Sequence, residues 1–288
     1  MPYIYLIISV FTSASSSILG KFYNRKNEGR RDSGTFYNFF LMISVCCGWG
    51  VMLLTAPSFD ANVLLYAILF AVGYSTCNLG LINALKHGPA TLTSLFISLS
   101  MILTTVWGFL FWDAALTLPV AIGLVLVIIS IILCIYTKSS SEKAVSLKWL
   151  IYVSLAFFGN AGCAIIQRTQ QMNYNGQHGN LLMFTATAIS TLIYLFVFLK
   201  SDRTDSKIIL RSSWWLPVCA GILNVVLNIC VMLLALTELS SSLVYPVIGA
   251  GGLAVVTLLS LLMFKEKMNL RQWLGVAVGA VAVVLLSL

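Results

Sequence analysis

Ten apolar segments, each long enough to cross a lipid bilayer, dominate the sequence. A hydrocarbon core about 30 Å thick is spanned by a helix of about 20 apolar residues. Runs that approach or exceed this length are 3–21, 34–56, 62–85, 90–111, 118–136, 149–167, 180–199, 213–236, 240–264 and 270–288. Backbone polar groups in lipid must be paired within their own segment, so such runs form helices. The sequence therefore predicts an all-α integral membrane protein with ten transmembrane helices, numbered here 1 to 10.

The composition shows that lipid is the solvent around most of the chain. Charged residues make up 9% of the 288 residues, whereas soluble domains carry about 25%. The net charge of +8 does not indicate nucleic-acid binding, because the basic residues lie in short connections between apolar runs and not on one face. The expected partners are the bilayer and a small solute, without nucleic acid.

The two halves of the sequence align with each other. Helix 1 matches helix 6 at an offset of 147, which places Lys21 over Arg168. Helices 3 and 4 match helices 8 and 9 at an offset near 151, which places Ala84 over Ala235. Five helices is an odd number, so the second copy enters the membrane inverted. The sequence predicts one transmembrane domain built from two inverted five-helix repeats, 1–140 and 148–288.

The distribution of basic residues predicts the orientation. The connections after helices 1, 3, 5, 7 and 9, with their flanks, hold 16 of the 17 Lys and Arg residues, and Arg168 alone lies toward the other side. Connections rich in Lys and Arg remain in the cytosol. The charges therefore predict that both termini lie outside the cell.

Short motifs carry a resemblance to a known family. Helix 9 begins with the small residues SSSLVYPV at 240–247, and the joint EK at 266–267 leads into QWLG at 272–275. With the five-plus-five architecture, these features resemble the ten-helix EamA-like branch of the drug/metabolite transporter superfamily. The resemblance implies a multi-pass transporter of the bacterial plasma (inner) membrane. It also implies cytosolic termini in many members, although the superfamily contains both orientations.

The start of the chain, PYIYL at 2–6, resembles the small multidrug-resistance proteins of the same superfamily. Those proteins carry a helix 1 glutamate that binds protons and cations, and the alignment places Ser13 at its position. The repeat mate of Ser13 is Asn160. The departure argues against that coupling chemistry in this chain.

All nine acidic residues fall in predicted loops or at helix ends. Intramembrane carboxylates are the usual proton relays and cation sites. Their absence at membrane depth in the sequence argues against carboxylate-based proton coupling and favours a neutral or zwitterionic substrate.

Uncharged polar residues in mid-span are the candidate substrate contacts. Tyr74 and Asn78 share one helix face, and Asn224 and Asn228 repeat that spacing at an offset of 150. The predicted substrate-binding residues are Ser13, Ser16, Tyr74, Asn78, Ser94, Asn160, Asn224, Asn228 and Tyr245. The alternative is that they form interhelical hydrogen bonds worth about 0.6 kcal/mol each.

Two basic residues near helix ends, Lys21 and Arg168, are candidate gate or anion contacts. The alternative for both is that the charged head reaches the membrane surface along an apolar stem. For Pro246 and the glycines that follow it in helix 9, the alternatives are helix packing and a kink or gate.

These features predict a transporter that exports or exchanges a small polar metabolite, amino-acid-like by the resemblance, through alternating access. Export of cationic drugs or quaternary amines and flipping of a lipid-linked sugar are the alternatives. An enzyme is not expected, because His87 and His178 are the only histidines, both flank helices, and no H-E-x-x-H or G-x-S-x-G pattern occurs. Neither a cofactor nor a metal is predicted, and the sequence leaves monomer and homodimer open.

The orientation is testable by cysteine labelling. A cysteine at Glu28, in the connection after helix 1, should resist a membrane-impermeant thiol reagent applied to intact cells and react after the membrane is permeabilised. A cysteine at Asp60, in the connection after helix 2, should react in intact cells. Labelling in the reverse order would place the termini in the cytosol.

Overall fold

The computed structural model describes residues 2–87, 90–135, 146–201, 204–264 and 270–286. Twelve α-helices lie in these ranges: α1 Pro2–Lys26, α2 Ser33–Thr55, α3 Ala61–His87, α4 Ala90–Phe111, α5 Leu118–Ile135, α6 Leu147–Asn173, α7 Gly179–Lys200, α8 Ser206–Ser213, α9 Trp215–Ala235, α10 Ser241–Pro246, α11 Gly252–Phe264 and α12 Leu270–Leu286. A π-helical turn, Val247–Gly251, joins α10 to α11.

The structure confirms the predicted all-helical membrane fold. Six helices in the described ranges are long and apolar enough to cross a bilayer: α1, α2, α3, α6, α7 and α9. Four shorter apolar stretches complete the set, namely Phe96–Phe111, Leu118–Leu133, Ser241–Val256 and Trp273–Leu286. These stretches coincide with the ten segments that hydropathy predicts.

The main helix contacts are related by exchanging the two halves of the chain. α1 packs along α9, and α3 packs along α6. By the sequence offsets, α6 is the counterpart of α1 and α9 is the counterpart of α3. Two further pairs, α2 with α7 and α5 with α12, are contacts between counterparts.

Glycines allow α3 and α6 to approach closely. A methyl group on Gly80 would lie 2.7 Å from the carbonyl oxygen of Tyr152, and one on Gly159 would lie 2.6 Å from that of Gly73. Lipid gives no hydrophobic drive for helices to associate, so small residues that let backbones meet are a main source of cohesion. The α3–α6 contact is therefore held by dispersion between backbones.

A short helix appears where the sequence analysis predicts only a connection. In α8, Ile209 is buried, whereas Ile208 and Leu210 are exposed. Ile209 packs with Tyr23 and Phe36 from the basic ends of α1 and α2. The eight residues of α8 are too few for a membrane span, so hydropathy did not predict this helix. Its only buried apolar residue is Ile209.

The predicted continuous helix 240–264 is interrupted. Pro246 has no backbone N–H and its ring crowds the preceding turn, and the glycines after it permit the wider π geometry. Gly249 faces Met101 of α4, and Gly251 faces Val10 of α1. The structure thus shows close packing at this position together with a local change from α to π geometry.

The α3–α6 contact predicts a difference between two glycines of the same helix. Gly159→Ala should destabilise the protein by about 1–3 kcal/mol, because the added methyl overlaps backbone atoms that cannot move away. Gly162→Ala should have little effect or stabilise slightly, because nothing lies within 4 Å of its added methyl. Thermal unfolding of both variants in detergent measures this, and equal melting temperatures would contradict the packing argument.

Candidate substrate-binding site

One face of α6 carries two buried polar residues, Gln167 and Arg168, and the half-buried amide of Asn160. Asn160, Ala164, Gln167 and Arg168 follow the i, i+4, i+7, i+8 spacing of a single helix face. At 1.5 Å per residue they cover about 12 Å along the axis. This face meets α4, α9 and α10 in turn, so α6 brings together side chains from both halves of the chain.

A chain of hydrogen bonds joins α3, α9 and α6. The Tyr74 hydroxyl donates to Asn224 Oδ1 at 3.4 Å, and Asn228 Nδ2 donates to the same oxygen at 3.0 Å. Gln167 Nε2 donates to Asn228 Oδ1 at 3.1 Å. Buried amides need such partners, since an unmade hydrogen bond costs about 1–3 kcal/mol. Three of the predicted contacts are thus brought together, with Gln167 as a fourth member.

Two further predicted residues form other hydrogen bonds. Asn160 Nδ2 donates to the Ser100 hydroxyl of α4 at 2.7 Å. Asn78 Nδ2 donates to the backbone carbonyl of Tyr74 on its own helix at 2.8 Å. Within the described ranges, neither amide bonds to a side chain of the Tyr74–Gln167 chain, so the predicted contacts form separate groups along the helices.

The remaining predicted contacts on α1 and α4 are the serines Ser13, Ser16 and Ser94. Ser13 is half-buried, with its hydroxyl 3.4 Å from where a methyl group on Gly252 would lie. Ser16 is half-buried on the same helix, α1. Ser94 belongs to α4, but its side chain lies outside the part of the chain that the structure describes.

Arg168 is buried, which contradicts the interpretation that it reaches the membrane surface. Helix α6 continues to Asn173, six residues beyond the predicted span, and Arg168 is only 6% exposed. Its Nη2 donates to the carbonyl of Leu239 at 3.4 Å, and the guanidinium carbon lies 5.3 Å from the Trp112 ring centroid. Nε and Nη1 are buried without a hydrogen-bond partner.

Tyr245 lies beside Arg168. Its hydroxyl donates to the Ala164 carbonyl at 3.4 Å, its ring lies 6.3 Å from that of Trp112, and the positive charge of Arg168 acts on it. The other basic candidate, Lys21, is half-buried near the basic end of α1. Helix α9 begins beside that end of α1 and finishes just before Leu239, so Lys21 and Arg168 lie near opposite ends of the protein.

Three functional candidates were missed by the sequence analysis: Gln167, Ser100 and Trp112. Gln167 was detectable, because it is an amide on the same helix face as Asn160. Ser100 and Trp112 were not, since their significance depends on which helix α6 meets. A tryptophan near a span end is normally an interfacial anchor, and only the fold shows that this one faces a guanidinium.

The arrangement offers neutral hydrogen-bonding groups along the interior and one positive charge toward one end. The six acidic residues that the structure describes all lie outside the helices: Glu28, Asp32, Asp60, Asp113, Asp205 and Glu238. Within the described ranges, the helices therefore offer amides, hydroxyls and a guanidinium to a solute, and no carboxylate.

The amide chain makes a testable prediction for stability. Asn228→Leu leaves the buried Gln167 amide without this partner and should cost about 1–3 kcal/mol. Combining it with Gln167→Leu should restore part of that loss, because removing both partners leaves fewer unsatisfied groups. Thermal unfolding of the two single variants and the double variant measures the coupling, and strictly additive losses would show that the 3.1 Å contact contributes nothing.

Comparisons with known proteins agree with this fold. The profile of the EamA-like transporter family matches residues 1–136 and again residues 147–288. A solved structure titled only as the crystal structure of a protein is similar, with a TM-score of 0.73 and 13% identity over 99% of this chain and 98% of that chain. A search of curated proteins gives no match. With two family domains covering nearly its whole length, the chain is a member of the EamA-like transporter family and thus a membrane transporter of the drug/metabolite transporter superfamily.

Proposed function

We propose that the protein exports or exchanges a small, polar, amino-acid-like metabolite by alternating access between two inverted halves, 1–140 and 148–288. The observation that carries the proposal is the hydrogen-bonded chain from Tyr74 to Gln167, which crosses from one half to the other. A solute bound at this seam would contact both halves, so movement of one half against the other would change the side from which it is reached.

Inversion of the second half is supported by the pattern of helix contacts. A two-fold operation that exchanges the halves turns the α1–α9 contact into the α6–α3 contact, and both are extensive. The operation also places Tyr74 over Asn224 and Asn78 over Asn228. The proposed contacts with substrate are the nine polar residues that the sequence singles out, together with Gln167.

The absence of a carboxylate from the described helical segments favours a neutral or zwitterionic solute over a cationic drug. An organic cation held at membrane depth needs an anionic partner or an aromatic cage. The amides of Asn224, Asn228 and Gln167 can instead replace the water around a neutral or zwitterionic group. For the same reason, we propose that transport does not depend on a protonated carboxylate.

The proposed location is the bacterial plasma membrane, with the basic connections in the cytosol. In this orientation α6 runs outward and Arg168 lies toward the outer end. Trp112, Leu239 and Ser241 belong to the same end, because they lie in or beside connections that carry little positive charge.

The proposal is tested by uptake and counterflow in proteoliposomes containing the full-length protein. The panel comprises amino acids, quaternary amines and sugars, each with and without a pH gradient. We expect counterflow of one or more amino acids that an imposed pH gradient does not drive. Proton-driven accumulation of an amine, with no amino-acid counterflow, would instead identify a cation exporter.

Two asparagine variants connect the activity to the amide chain. Asn224→Ala removes the oxygen that accepts from both Tyr74 and Asn228 and should raise the half-saturating concentration about 10-fold. Asn83→Ala is the control, because its amide donates to the carbonyl of Leu79 on its own helix. Equal effects of the two substitutions would remove the chain from the transport site.

A further inference from the structure

We infer that Arg168 forms a carboxylate subsite at the outer end of the transport path, so that the substrates are amino-acid-like molecules with a free carboxylate. This inference rests on the proposed transport function and names the substrate group that the outer end recognises. The subsite consists of Arg168 on α6, Trp112 after α4, and Ser241 and Tyr245 on α10.

The first observation is an incomplete set of hydrogen bonds on a buried charge. Arg168 is 6% exposed, its Nη2 donates to the Leu239 carbonyl, and its guanidinium also interacts with the Tyr245 hydroxyl. Nε carries one N–H and Nη1 carries two, and both nitrogens are buried without a partner. A guanidinium removed from water requires an anion or further acceptors, so the site has capacity for a ligand that supplies them.

The second observation is a neighbouring hydroxyl in the same condition. Ser241 is 1% exposed, and its Oγ has no hydrogen-bond partner. It lies two residues after Leu239, which accepts from Arg168. A cationic group and a neutral hydroxyl, both near Trp112, therefore offer donors. A carboxylate has two oxygens and about four acceptor positions, which suits this combination.

The charge balance favours a carboxylate over a phosphate. One guanidinium neutralises one carboxylate and leaves a buried pair with no net charge, whereas a phosphate dianion would remain negative beside Trp112. The planar fork of an arginine also matches a carboxylate in two parallel hydrogen bonds. The Trp112 ring centroid lies 5.3 Å from the guanidinium carbon, so the subsite also has an aromatic neighbour.

The two described carboxylates that lie nearest in sequence to the contacts of Arg168 do not occupy this position. Asp113 follows Trp112 and Glu238 precedes Leu239, so both are close in sequence to contacts of Arg168. Both side chains are exposed, and two of the three guanidinium nitrogens are without a partner. These two acids are the internal competitors that any test must include.

The packing around Arg168 shows where the subsite would open. α4 and α10 meet at Gly108, where an added Cβ would overlap the Ser241 hydroxyl and lie 3.3 Å from the Trp112 ring. The contact joins the two halves at the level of Arg168. Separation of α10 from α4 at this glycine would expose the guanidinium and Ser241 together.

The experiment compares matched ligands on matched variants in proteoliposomes. The ligands are an L-amino acid that the wild-type protein exchanges, its carboxamide, and the amine that lacks the carboxyl carbon. The variants are Arg168→Gln, Arg168→Lys, Asp113→Asn and Glu238→Gln. Competition with counterflow gives the half-inhibitory concentration of each ligand. Melting temperatures of the detergent-purified protein with each ligand give a binding readout that does not depend on transport.

We expect the wild-type protein to prefer the acid over its amide by about 10- to 100-fold, the range for hydrogen bonds to a charged group. Arg168→Gln should abolish this preference by weakening the acid alone, and its unchanged response to the amide shows that it is folded. Arg168→Lys should retain part of the preference, since it keeps the charge and loses the fork. Asp113→Asn and Glu238→Gln should behave as the wild type.

Four results would overturn the subsite. Equal losses for acid and amide in Arg168→Gln would make Arg168 a structural or gating group. The same loss of preference in Asp113→Asn or Glu238→Gln would show that an internal carboxylate is its partner. Transport of acid and amide alike by the wild type would refute the subsite and leave the proposed transport intact. If no amino acid is exchanged, the transport proposal fails, and equal melting temperatures with acid and amide would then refute the subsite as well.

Discussion

The close backbone contact of α3 with α6 determines where the polar groups of the protein lie. Gly73, Gly80 and Gly159 allow the two helices to meet without intervening side chains, which draws the polar face of α6 into the interior. Hydrocarbon cannot satisfy the amides and the guanidinium on that face. The Asn160 amide bonds to Ser100 of α4, the Gln167 amide to Asn228 of α9, and Arg168 to the Leu239 carbonyl. The first of these bonds crosses between the two halves.

The sequence could predict the membrane spans and one contact between the halves, but not the partners of the polar residues on α6. Span positions depend on hydropathy alone, which is why the ten segments agree with the structure. The Tyr74–Asn224 contact was also accessible, because equivalent positions of the two halves face one axis. The partners of Asn160 and Arg168 were not, since Ser100 and Trp112 become significant only when the crossing of α4 and α6 is known. Pro246 marked the position of a break, but not its π geometry.

The proposed site, built from neutral amides and the Arg168 guanidinium, differs chemically from the site of a transporter that uses a buried carboxylate. A buried carboxylate binds cations and couples them to protons by titrating. The amides of Asn224 and Asn228 do not titrate, and an arginine remains charged in proteins. A site made of such groups responds to the shape and charge of the solute and not to its own protonation. Membership of the family shows transport, and these residues support the proposed choice of substrate.

The π-helical turn at Val247–Gly251 has a mechanical consequence for helix 9. A π-turn holds one residue more than an α-turn, and one residue corresponds to about 100° of rotation. If the π-turn changed to α geometry, α11 would therefore rotate about its axis relative to α10. In this change α10 would keep its contact with α4. Gly252, which faces Ser13 in this structure, would move away from α1, and another residue of α11 would contact α1. The counterpart in the first half, α4 Ala90–Phe111, is one continuous helix, so such a rotation would be confined to the second half.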